Sequence, residues 1–276
     1  MKARTPEMNN ATLDAEIDSL IKLRQRVLLN WLFILTVILA VGGYAAWFTG
    51  FDIPELVTGW PHIWNLLKRM FPPDFSIVPI LYGPLIETLQ MALLGTTIPI
   101  FFAVPLAWLT AVNIREDHVL GNIVRLFLHV LRTIPELLWA MLLVSAVGLG
   151  TFPGTLALIL HTTGSMGKFF YEAIEAIDPG VIEAMEATGA NQFKVLMFGI
   201  IPTVLPIYMS VVLLYWEFNT RAATILGLVG AGGIGLTLTH AIQAFEYDEA
   251  VTCLIAIVLI LTVIDRISNY LRSKVI

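Results

Sequence analysis

Long apolar runs separated by short polar connections set the rhythm of this chain. Residues 28–48, 87–112, 126–148, 154–171, 204–226 and 249–265 are each dominated by aliphatic and aromatic side chains. A helix needs about 20 such residues to cross the hydrocarbon of a bilayer. The pattern therefore predicts six transmembrane helices in an all-α integral membrane protein. Strand alternation is absent, and barrels in membranes carry much weaker apolar signals. The fourth run is short and turns polar in its second half, "HTTGSMGK" at 161–168, so its boundaries are the least sharply marked.

Composition agrees: 57% of the 276 residues are hydrophobic and 13% charged, where soluble domains carry about 25% charge. The net charge of −5 matters less than where the charges lie. Lys2, Arg4, Lys22, Arg24 and Arg26 precede the first run; Arg115, Arg125, Lys168 and Lys194 belong to the second and fourth connections; Arg266, Arg272 and Lys274 follow the last run. Only Lys68 and Arg69 fall on the other side. Basic loops stay in the cytoplasm, so both termini are expected there. The polar head is too long for a secretory signal, and the first run reads as a retained span. The resulting division is a tail at 1–27, a first helix with an extracytoplasmic interfacial segment at 28–83, and a core at 84–276. Within 50–83, Pro54, Pro61, Pro72, Pro73 and Pro79 accompany Trp60 and Trp64, which predicts short interfacial helices broken by prolines. Cys253 is the only cysteine; it excludes an internal disulfide and a cysteine metal cluster, and reads as a small core residue.

Two stretches imitate nucleotide sites. In "LVGAGGIGL" (228–236), Gly230, Gly232 and Gly235 fit G-x-G-x-x-G, and Asp248 follows. That fingerprint works only between a strand and a helix of a βαβ unit, whereas this one lies between two spans on the outer side. "TTGSMGKF" (162–169) has Thr162 where a phosphate loop needs glycine and Phe169 where it needs Ser or Thr. If nucleotide energy drives this protein, another chain supplies it. No H-E-x-x-H is present, and no metal or catalytic constellation is expected.

The stretch "DPGVIEAMEATGANQFKVLMFGIIPTVLP" (178–206) holds a short helix with firm ends. Asp178 suits the N-cap, Pro179 the first helical position and Gly189 the left-handed stop. Asn191 can cap a second helix, which Pro202 is expected to interrupt before the fifth span. A capped helix too short to span suits docking into a partner's groove; a plain connecting helix is the alternative.

Glu183, Ala184, Gly189 and Pro202 match the spacing of the E-A-A-x3-G-x9-I-x-L-P signature of ABC-importer permeases, with Met185, Gly199 and Ile201 departing from it. The blocks "FPPDFS" (71–76), "AVGLG" (146–150), "HTTG" (161–164), "EAIEAIDPG" (172–180), "EATGAN" (186–191) and "VGAGGIG" (229–235) narrow the resemblance to phosphonate-uptake permeases. The resemblance implies the type I importer-permease architecture, with 172–203 as the cytoplasmic coupling loop. Implied partners are a second copy of the chain, two cytoplasmic ATPase subunits, an extracytoplasmic substrate-binding protein and membrane lipid, with no nucleic acid. The chain itself would hold no cofactor and perform no chemistry; ATP and magnesium would sit in the ATPase. Phosphite is the alternative substrate, since relatives in this group also take it up. A stand-alone secondary transporter is the alternative from another class; inverted internal repeats would mark it, and none is visible.

Polar groups inside a membrane face protein or water. Glu87, Thr88 and Gln90 open the second span; Arg132 and Glu136 sit four apart around Pro135, as do Glu217 and Arg221 around Asn219. Such i,i+4 pairs can neutralise themselves on one helix face. In the functional reading, Arg221, His161, Thr162 and Thr163 line a path for an anion. Gly230, Gly232, Gly233 and Gly235 are expected in a tight, partly re-entrant turn at the outer gate. Their free N–H groups would cradle an oxyanion in one reading, and merely pack in another.

Overall fold

In the computed structural model the described residues are 10–51, 53–113 and 118–275. Lys2, Arg4 and Arg115 of the orientation argument lie outside them. Eleven α-helices and no strand occur among the described residues. Packing divides the chain between Asn65 and Leu66.

In the first unit, α1 runs from Asn10 to Phe48, so the polar stretch ahead of the apolar run is helical too. The segment after it does not break at Pro61: α2, Ile53–Arg69, carries that proline inside it.

In the second unit, Asp74 opens the fold by capping a 3-10 turn, Phe75–Ile77, through the Ser76 N–H at 2.8 Å. The same N–H and the Ser76 hydroxyl hold the Asp74 carboxyl below the ordinary carboxylate range. The chain then enters α3, Val78–Thr110, whose start precedes the expected 87 because Pro79 sits in the first turn, where a missing N–H costs nothing. The remaining helices are α4 (His118–Thr133), α5 (Glu136–Val147), α6 (Thr151–Glu175), α7 (Pro179–Ala187), α8 (Gln192–Lys194), α9 (Ile201–Leu226), α10 (Gly233–Gln243) and α11 (Tyr247–Val275).

Two sequence expectations fail here for backbone reasons. The run 126–148 is not one straight span: α4 and α5 meet at an 84° bend. Pro135 lacks an N–H and holds the residue before it out of helical geometry. The break is closed by donors from elsewhere, with the Trp139 indole N–H on the Leu131 carbonyl at 3.1 Å and His161 Nδ1 on the Ile134 carbonyl at 3.1 Å. Nor does Pro202 interrupt its helix. Residues Val195–Ile200 widen into a π-helix that leads directly into α9. The wider turn, with Ile201 N–H reaching back to Leu196 O, accommodates a proline ring that would clash with an α-helical carbonyl.

Among the described residues, four helical runs are long and apolar enough to cross a membrane: Leu20–Phe48, Phe75–Thr110, Val195–Val229 and Tyr247–Lys274. The bent α4–α5 pair would make a fifth. At 25 residues α6 is long enough but too polar, for a reason packing explains. It is the hub of the unit, packed by α3, α4, α5 and α9. Its small residues admit close neighbours: a Cβ on Gly154 would stand 2.6 Å from Met91 Cε, and one on Gly164 2.7 Å from the backbone of Arg132. Surrounded by protein, α6 needs little apolar surface for lipid.

At its centre a buried polar junction joins three helices. Pro99 has no N–H to give the Gly95 carbonyl one turn back; the Asn219 amide of α9 supplies it at 2.9 Å. The same amide donates to Thr96 Oγ1 at 2.9 Å, and its oxygen accepts from Thr162 of α6 at 3.0 Å. Since a carbonyl only accepts, the amide orientation is determined. Asn219→Leu should cost about 1–3 kcal/mol by stranding the Gly95 carbonyl and the Thr162 hydroxyl. Thr162→Ala should cost less, because the amide keeps Gly95. Thermal melting of the purified protein checks the order, and equal melting of Asn219→Leu and the natural chain would refute it.

Candidate functional site

The capped helix forms as the sequence foretells. Asp178 Oδ1 accepts the Gly180 N–H at 2.9 Å, and α7 follows to Ala187. Gly189 adopts φ +76° with nothing within 4 Å of a would-be Cβ, so conformation alone demands glycine there. Asn191 Oδ1 accepts the Lys194 N–H at 3.0 Å and caps the next helix.

Of the signature residues, Glu183 and Ala184 are exposed and Met185 is half-buried. Pro202 follows the π-helix in the first turn of α9. The departures at 185 and 199 answer each other. The larger Met185 replaces alanine, the smaller Gly199 replaces isoleucine, and a Cβ on Gly199 would meet Met185 Cγ at 3.4 Å. The swap keeps α7 seated on the π-helix. Below it Ile182 and Met185 join a core with Phe170, Ile174, Val195 and Ile200, and Phe170 stacks on Tyr208 at 3.9 Å. Packing is therefore continuous from α7 into α6 and α9.

The glycine turn is as tight as expected. Gly230, Gly232 and Gly233 have φ of +83°, +79° and +69°. α9 ends in a 3-10 turn, Gly227–Val229, and α10 crosses back over it. A Cβ on Gly235 would lie 1.9 Å from Thr224 O. The turn is anchored by the α5–α6 connection, where Gly150 N–H donates to Gly230 O at 3.0 Å. Its own N–H groups are engaged: Gly233 donates to Glu87 Oε2 at 3.2 Å and Ile234 to Thr88 Oγ1 at 2.9 Å. Two side chains of α3 thus cap α10, and the oxyanion cradle loses these donors.

The intramembrane polar residues separate into two groups. Thr162 and Thr163 are buried, the first on Asn219 and the second on the Ile159 carbonyl of its own helix. Arg221 is exposed and paired with Glu217, as the i,i+4 spacing predicts. The Arg132–Glu136 pair does not form, because the Pro135 bend removes the helical spacing. Glu136 instead lies 3.8 Å from His161 Nε2, and Arg132 donates to His129 Nδ1 at 3.1 Å. Two residues that spacing did not single out join helix ends far apart in sequence: Glu175 accepts from Arg125 at 2.7 Å and from the Val112 N–H at 3.1 Å. The only signal for Glu175 was its place in the "EAIEAIDPG" block.

Gly235→Ala should abolish the folded, monodisperse protein, since the obstructing atom is backbone. Glu87→Gln should leave yield unchanged, because an amide oxygen still accepts. Detergent-solubilised size exclusion reads both; normal yield of Gly235→Ala would mean that α9 and α10 do not cross so closely.

Residues 103–276 match the family described as binding-protein-dependent transport system inner membrane component. Over 230 residues the chain is 40% identical to the phosphite transport system permease protein PtxC of Stutzerimonas stutzeri, covering 83% of this chain and 84% of that protein. It is 42% identical over 121 residues to the putative cryptic phosphonate transport system permease protein PhnE2 of Escherichia coli, covering 44% of this chain and 99% of that one. Among solved structures, the inward-facing MetNI methionine ABC transporter superposes with a TM-score of 0.63 at 18% identity, over 74% of this chain and 99% of that chain. That likeness speaks to fold alone.

Proposed function

The chain belongs to the binding-protein-dependent transport system inner membrane components, and we propose that its cargo is a phosphonate-type oxyanion. It is the permease subunit of an ABC importer in the inner membrane, and not itself an enzyme. Phosphite is the second reading, favoured by the 40% identity to a phosphite permease across most of both chains. Both are small tetrahedral phosphorus oxyanions.

In this reading six segments cross the membrane, with α4–α5 as a bent third and α6 as a protein-wrapped fourth, and both termini face the cytoplasm. Two copies pair, two ATPase subunits bind from the cytoplasm with ATP and magnesium, and an extracytoplasmic binding protein delivers the cargo. The observation that carries the mechanism is the capped α7 docked on the π-helix. Glu183 and Ala184 face outward toward the ATPase, while Met185, against Gly199, passes its movement inward. Gly189 and Pro202 shape the two ends of that lever. At the opposite end of α9, the turn of Gly230, Gly232, Gly233 and Gly235 forms the gate. Arg221 offers the cargo a weak, exposed cation, His161 and Glu136 hold the bent wall, and Thr162 and Thr163 stiffen it from behind.

Proteoliposomes holding the permease, its ATPase and its binding protein should take up phosphite or methylphosphonate only with ATP. Gly189→Ala introduces roughly 1–2 kcal/mol of left-handed strain without a clash. It should leave the complex assembled yet lower uptake per ATP hydrolysed. Gly189→Asn should restore coupling in part, as asparagine tolerates that conformation. Unchanged coupling in Gly189→Ala would remove α7 from the mechanism.

A further inference from the structure

A cleft of about 360 Å³ opens between α4 and α6, at the end of the bundle that carries α7. Its polar lining is Asn122, Arg125, His129 and Arg132 from α4, with Lys168 and Tyr171 from α6. Three cations from two helices converge there, and no carboxylate lines the cleft. We propose that this cleft is a binding site for a phosphorus oxyanion.

The charges around it are only partly balanced. Glu175 pairs with Arg125 at 2.7 Å and Glu172 with Lys168 at 3.3 Å, both from outside the lining. Arg132 has no carboxylate partner among the described residues. It donates to His129 Nδ1, and since a guanidinium has no lone pair, the histidine accepts there and carries its proton on Nε2. That leaves His129 a further N–H donor. Arg125 stacks over Tyr171 at 4.7 Å, and its Nε is buried without a hydrogen-bond partner.

Donors dominate this lining, and a tetrahedral dianion is the ligand that uses them. A planar guanidinium forks onto two phosphorus oxygens, while lysine and an imidazole N–H serve a third. Size agrees, since a water occupies about 30 Å³ and the cleft therefore holds a hydrated anion with room to spare. The walls are rigid where they meet. A Cβ on Gly164 would stand 2.7 Å from Leu128 O, and one on Gly167 2.7 Å from Leu128 Cδ2. The α4 cations are thus presented on a helix locked against α6, rather than on a loop. The oxyanion has two sources with the same chemistry: free anion from the aqueous side, or the phosphate of an anionic lipid headgroup, which basic pockets between membrane helices also take. The free-anion source rests on the proposed function; the site itself does not.

The test uses the assembled, nucleotide-free permease–ATPase complex in nanodiscs of phosphatidylcholine or of phosphatidylglycerol. Equilibrium dialysis with radiolabelled inorganic phosphate reads the free anion, and native mass spectrometry counts retained phosphatidylglycerol. Phosphate binding in phosphatidylcholine, weakened at least tenfold by Arg132→Gln with Lys168→Gln, supports the site with a free anion. Retained phosphatidylglycerol that the same pair of substitutions removes supports it with a lipid. Arg132→Lys should fall between, keeping charge but losing the fork. Lys168→Gln alone leaves α4 untouched and serves if the double variant does not assemble. Neither ligand bound, or either bound equally by natural and substituted complexes, overturns the site. Uptake of methylphosphonate and of phosphite by the natural complex is measured in parallel: uptake of either without cleft binding defeats this inference alone, and uptake of neither defeats the proposed function alone.

Discussion

One amide holds this bundle together across the membrane. In hydrocarbon no water repairs a broken backbone hydrogen bond, so each carbonyl freed by a proline must find a donor within the protein. Pro99 frees the carbonyl of Gly95 in the longest core helix, and Asn219 answers it from α9 while binding Thr162 of α6. The relative height of α3, α6 and α9 follows from those bonds, because sliding α9 by one turn would break all of them and sliding α3 or α6 would break its own share. The same constraint governs the bend at Pro135, where Trp139 and His161 take the carbonyls that the broken helix leaves. Polar residues that look like cargo ligands in the sequence are in large part repairs to the backbone.

That explains what the sequence made legible and what it hid. Helix caps depend on neighbours within four residues, so Asp178, Gly189 and Asn191 were readable by position alone. So was the Glu217–Arg221 pair, because α9 runs unbroken through it. The Arg132–Glu136 pair failed for the opposite reason, since its spacing assumed a helix that Pro135 does not allow. In the sequence Asn219 stands out only as a residue between two charges; its partners lie more than fifty positions away, and no periodicity points to them. The polarity of the fourth run was real, but it marks a helix enclosed by protein rather than an uncertain span.

The quoted blocks gain meaning from the same contacts. "AVGLG" and "VGAGGIG" touch, through Gly150 on Gly230 and Thr151 beneath Gly232. "HTTG" reaches Asn219, and "FPPDFS" reaches α11, where Thr252 donates to Asp74 O at 2.8 Å. Each lies where two backbones approach too closely for a larger side chain, or where one polar group must meet a distant partner. Resemblance in such places constrains the arrangement of helices more tightly than resemblance in lipid-facing positions, which any apolar residue fills.

Both ends of α9 are engaged by other elements, so the coupling proposed above is most directly routed through that helix. At one end the π-helix supports α7 through Met185 against Gly199; at the other, the glycine turn is bound to α3 and to the α5–α6 connection. Asn219 fastens α9 in its last third, nearer the glycine turn than the π-helix. In the proposed mechanism a push on α7 would tilt α9 about that junction, and a tilt moves the two ends in opposite directions. The wide π turn lies on the longer arm and the left-handed glycines follow the shorter one. Between them Asn219 donates twice and accepts at once, three bonds that an aliphatic residue could not make, and in the proposed mechanism they serve as the pivot.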